Sequence, residues 1–173
     1  VFHPQQDRPD APSGTDAPRS GLTGIVLDAP LQAVIDAATT RDGAQAIAAL
    51  IEDADIRPHG VDTAFTLHIA RHGRDDITLE SRGQGGVVLH ACTVPGGPLR
   101  QPLRDYALMV EGFQDALRDA NPMRIQAIDA GRRMLHTQGA ETLSQSLAGQ
   151  IALSAHSARN LFTLFFSLTR NPK

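Results

Sequence analysis

The run IQAIDAGRRMLHTQGAETL, residues 125–143, carries the densest chemistry in the chain. On a helix of about 3.6 residues per turn, Ile125, Ile128 and Leu135 share one apolar stripe, and Arg132 falls inside it. His136 and Asp129 lie at the edge of that stripe, and Arg133 sits further out. Arg132 and His136 are four residues apart, so they are neighbours on the helix surface. An arginine facing a core needs a partner, because an unpaired buried charge is costly. Asp105, Glu111 and Glu141 are candidate partners in the sequence.

This arrangement supports more than one chemistry. Arg132 can tie helices together through a structural ion pair. Alternatively, Arg132, Arg133 and His136, flanked by Asp129 and Glu141, can line a pocket for a phosphate or carboxylate, which suits the planar fork of arginine. A catalytic version makes His136 a general base, oriented by Asp129 or Glu141, with the arginines holding an anionic substrate. No nucleophile-elbow pattern accompanies it.

Metal chemistry has a thinner basis. His90 and Cys92 point to one face of a strand, and His68 on a neighbouring strand could complete a zinc set. Neither HExxH nor paired CxxC is present, and the expectation is no metal and no cofactor. Gly83, Gly85 and Gly86 resemble part of a phosphate loop but lie between strands, without the helix start such a loop needs.

Composition narrows the classes further. The 173 residues include 16 basic and 19 acidic side chains, for a net charge of −3, so no global pull toward nucleic acid arises. Charge is unevenly placed. Residues 22–98 sum to −5 and residues 99–173 to +3, which puts the expected anion site in the C-terminal half. One tyrosine and no tryptophan leave little platform for stacking bases. The single cysteine, Cys92, excludes an internal disulfide. No apolar run approaches the roughly 20 residues that span a bilayer, so the sequence predicts a cytoplasmic protein.

The elements that must position these residues follow from periodicity. Residues 1–21 are rich in Pro, Asp, Ser and Gly and are expected to be disordered. Residues 22–170 form one expected domain. Gly24–Asp28 reads as a strand and Gly43–Asp55 as a helix. Ala64–Ala70 and Asp76–Arg82 alternate apolar and polar residues and read as a hairpin. Val87–Val94 is apolar on both faces and reads as a central strand. A helix follows Pro98, with Pro102 in its first turn. Asn121 caps the next helix, which Gly139 is expected to end. A short helix from Ala140 to Ala148, a strand at Ile151–Leu153 and a last helix capped by Ser154 complete the chain. Strands come mostly first and helices mostly last, which predicts an α+β fold with helices on one face of a small antiparallel sheet.

The stretch AIDAGRRMLHTQGAETL (127–143) is similar to a signature of an uncharacterised alphaproteobacterial protein family of unknown function. The match extends to LRDYALMVEGFQDALRDANPMRIQ (103–126), ARNLFTLFFSL (158–168) and FTLHIA (65–70). By that motif the family pattern matches at Asp129, Gly131, Arg132, Arg133, His136, Gly139 and Glu141. It departs in residues 95–102, PGGPLRQP. The resemblance implies the domain and carries no reaction. The residues themselves favour a small binding or regulatory module for an anionic small molecule or an acidic protein surface, with no nucleic acid and no membrane. An enzyme using His136 is the alternative. A protein–protein adaptor is another, with an exposed apolar patch on the final helix that could also form a homodimer.

Overall fold

The computed structural model describes residues 21–38 and 40–169; the expected disordered tail lies, apart from Gly21, outside them. The first strand, β1 (Leu22–Leu27), leads into helix α1 (Ala29–Ala37) and helix α2 (Asp42–Asp53). Strands β2 (Ile56–Pro58), β3 (Phe65–His72), β4 (Asp76–Arg82) and β5 (Val88–Val94) follow. Helices α3 (Gly96–Arg118) and α4 (Pro122–Ser146), strand β6 (Ile151–Leu153) and helix α5 (Ala155–Thr169) complete the order.

The fold is α+β, as the segregation of strands and helices predicts. Its main sheet runs β1-β3-β4-β5, and β2 pairs with β6 in a separate two-stranded sheet. β3, β4 and β5 are antiparallel, but β1 joins β3 in parallel, so the sheet is mixed. The cause is the connection. Two helices and β2 intervene between β1 and β3, which allows the crossover that a parallel pair needs. β5 is an edge strand, not the expected central one. Among the described residues only β4 pairs with it, and Val88 and Leu89 stand exposed.

Alternation sets the two faces of the sheet. Phe65, Leu67 and Ile69 of β3, with Ile77 and Leu79 of β4, are buried toward the helices. They share one core with Leu161, Phe162, Leu164 and Phe165 of α5. α5 is buried nearly all round, with Phe166 and Leu168 also covered. This overturns the expected apolar patch on the final helix: those side chains are the centre of the core. Ser154 caps α5 as predicted, its Oγ accepting from the Ser157 amide at 3.1 Å.

Three further differences have local causes. α1 was not singled out by periodicity, since only Leu31 is buried on it; Asp28 caps it by accepting from the Leu31 amide at 2.9 Å. α3 starts at Gly96, whose amide donates to Asp76 Oδ1 at 2.9 Å, so Pro98 takes the first-turn place and Pro102 lies inside the helix. α4 runs unbroken through Gly139, and its Asn121 cap accepts from the Arg124 amide. An added Cβ at Gly139 would stand 2.2 Å from Phe162 Cζ. This glycine permits close approach of α5 and does not stop the helix.

Candidate functional site

α4 presents Asp129, Arg132 and Arg133 as one cluster. Arg132 donates to Asp129 Oδ1 from Nη2 at 2.7 Å and from Nε at 3.2 Å. Arg133 reaches Asp129 Oδ2 at 2.6 Å. One carboxylate therefore serves both cations. The hydrogen bond from Arg132 is the main reason the Asp129 carboxyl is held below the usual carboxylate range; the two guanidinium charges add to it and partial burial opposes it. Arg132 also approaches Tyr106 Oη at 3.5 Å and lies over the Phe113 ring, 5.3 Å from its centroid. Its partners thus differ from the sequence candidates. They are its own helix neighbour and two aromatics of α3, not Asp105, Glu111 or Glu141. Glu141 is exposed and stands about 18 Å along the axis from Asp129 at helical rise, so it does not join the cluster.

His136 is half-buried beside this cluster. Its Nε2 meets Thr163 Oγ1 of α5 at 2.8 Å. Its ring lies 5.3 Å from that of Tyr106 and 5.5 Å from that of Phe162. Among the described residues, neither Asp129 nor Glu141 bonds the imidazole. Burial lowers its pKa, and the charges of Arg132 and Arg159 lower it further. The imidazole therefore favours the neutral form in the folded state. The unfolded chain binds its proton more readily below the ordinary value of 6.5, so this group's contribution is intact above that pH and is lost as pH falls through the lowered folded pKa. Thermal melts should show His136→Gln losing less stability than wild type between neutral pH and pH of about 5.5. An equal loss in both would remove His136 from the acid sensitivity.

The histidine and cysteine trio is not assembled. Register pairs His68 with Glu80, and Glu80 with Ala91, on the outer face of the sheet. Ser81 pairs with His90, and Leu79 with Cys92, on the core face. His68 therefore lies on the opposite side from the other two. His90 Nε2 instead meets Gln150 Oε1 at 3.2 Å, and burial pushes the Cys92 thiol up.

A second constellation was not visible in the sequence. A cleft of about 780 Å³ opens between α1, the β3–β4 hairpin, α3 and the end of α5. Four arginines line it: Arg71 and Arg74 from the hairpin, Arg100 and Arg104 from α3. Arg100 pairs with Asp75 at 2.5 Å. Arg71, Arg74 and Arg104 are exposed and have no carboxylate within ion-pair distance among the described residues. Acidic side chains share the walls. Asp76 is engaged with the Gly96 amide, and Asp42 and Glu111 line other walls of the cleft. Beneath the charges lie apolar residues, including Leu31, Leu103, Phe165 and Phe166. Phe166 connects the two constellations, because its ring packs edge-on against Tyr106 at 4.7 Å.

The sequence as a whole matches the uncharacterised protein family UPF0262 over residues 19–171. The chain belongs to this family. A UPF0262 protein of Xanthobacter autotrophicus is 36% identical over 166 residues, spanning 94% of this chain and 96% of the relative. One from Acidiphilium cryptum is 34% identical over 154 residues, spanning 88% and 94%. One from Brucella anthropi is 39% identical over 124 residues, spanning 70% and 76%. The UPF0262 match includes both the α4 cluster and the arginine-lined cleft. No solved structure matches the chain. No described helix is long and apolar enough to cross a membrane.

Proposed function

We propose that this UPF0262 protein is a cytoplasmic binding module that holds an anionic small molecule in the cleft between the β3–β4 hairpin and α3. The observation that supports this reading is the convergence of Arg71, Arg74 and Arg104 over an apolar floor, each without a carboxylate within ion-pair distance among the described residues. Guanidinium groups so placed offer paired donors to a phosphate or carboxylate. The C-terminal bias in positive charge contributes one of these three, Arg104, since Arg71 and Arg74 come from the acidic half of the chain.

In this reading Arg132 and Arg133 do not hold the anion. They are neutralised in part by Asp129, and Arg132 steadies Tyr106, which backs Phe166 in the cleft wall. The cluster acts as support for the floor.

The test is thermal stabilisation by sodium phosphate, phenyl phosphate and octanoate, on wild type and on Arg74→Ala/Arg104→Ala. At 100 times its dissociation constant a ligand stabilises the native state by about 2.7 kcal/mol. For a chain of this size that is a rise of roughly 5–10 °C. The double variant should melt normally alone and lose the rise. A shift retained in the variant, or no shift with any anion in wild type, would refute the cleft as the seat.

A further inference from the structure

We infer that the ligand is a single-headed amphiphile: one phosphate or carboxylate on an apolar acyl or alkyl body. This rests on the reading of the cleft as an anion site and narrows its chemistry. The argument starts from how polarity is graded across the cleft. Arg71, Arg74 and Arg104 are exposed, Val34, Leu103 and Ala107 are half-buried, and Leu31 and Phe165 are buried. An entering molecule therefore meets charge first and hydrocarbon behind it.

Size points the same way. A volume of about 780 Å³ lies in the range of sites that enclose whole small molecules, and a bare phosphate would leave most of it to water. Apolar wall left wet gains nothing, whereas each methylene that covers it contributes to binding.

The acidic residues limit the number of heads. Glu111 follows Arg104 on α3 by seven residues, about 10 Å along the helix. Asp42 lies in the first turn of α2, on another wall. A second anionic group reaching along the cleft would meet these carboxylates. A polyphosphate or dicarboxylate is disfavoured, while an uncharged chain passes between them.

Calorimetric titration of the full chain with butyl, hexyl, octyl and decyl phosphate, kept below micelle formation, tests this. Affinity should rise up to roughly fourfold per added methylene until the cleft is filled. Octanol should bind at least tenfold more weakly than octyl phosphate, and octanoate against octyl phosphate identifies the preferred head. Arg104→Ala, confirmed folded by circular dichroism, should weaken every member by a similar factor and leave the chain-length dependence intact. Val34→Asp should flatten that dependence. Butyl and decyl phosphate binding equally well would overturn the amphiphile while leaving an anion site. Octanol binding as well as octyl phosphate would overturn the anion site itself. Binding of inorganic phosphate alone would overturn the apolar body, and no binding by any member would overturn both.

Discussion

Gly139→Ala should destabilise this UPF0262 protein by about 3 kcal/mol, at the upper end of the cost of overfilling a core. The sign is opposite to the ordinary one. In an exposed helix interior the same change gains about 1 kcal/mol from helix propensity. Here the new methyl would stand 2.2 Å from Phe162 Cζ, 2.4 Å from Cε2 and 2.8 Å from Cε1. The ring has nowhere to move. Phe162 is fully buried and held edge-on by Tyr106 and His136. Melting should fall by roughly 6–12 °C. The check is a second substitution: Phe162→Leu removes the ring atoms that the methyl would meet, so the double variant should recover part of the loss. A Gly139→Ala protein at least as stable as wild type would mean that the helices separate at no cost.

Phe162→Ala should cost about 3–5 kcal/mol, the range for deleting a large buried aromatic side chain. The reason for placing it in that range is its position. It touches the rings of Tyr106 on α3 and His136 on α4 from its place on α5, so it joins three helices. Its loss leaves a cavity lined by parts that cannot all close on it. Denaturant unfolding should show a lower midpoint with an unchanged slope. A loss below about 1 kcal/mol would show that the three helices pack adequately without it.

These two residues also show where the sequence was readable. Phe162 is legible as part of an apolar helix, with Leu161, Leu164, Phe165 and Leu168 around it, but the same pattern fits an exposed patch, and burial follows from the elements that cover the helix. Gly139 was misread. A lone glycine near the end of an apolar pattern has the same appearance whether it ends a helix or lets another helix approach, and only the neighbouring ring separates the two cases. β3 and β4 were legible because alternation continues through both and their hairpin turn contains Gly73, at a positive φ of 60°. β5 reads as a central strand because apolar residues on both faces mimic burial, while edge position depends on partners far away in the chain.

The site divides in the same way. The helical wheel placed Arg132 on the inward stripe correctly, since that depends on its own helix. Its partners were misidentified, because the helix turns Asp129 toward it and brings Tyr106 and Phe113 from α3. The cleft was not legible. Its walls come from residues as distant as Leu31 and Thr169, and no local spacing records their convergence.

The central place of α5 bears on how the chain is made. It is the last described element in order, yet it fills the middle of the core and packs against α1, α2 and α4. A ribosome-bound chain that stops before Ala155 has its sheet strands and no pillar to set them against. Its buried faces of β3 and β4 stay open to solvent throughout that time. Cooperative folding therefore waits until α5 has been made, and the apolar strand faces stay prone to association until that helix emerges.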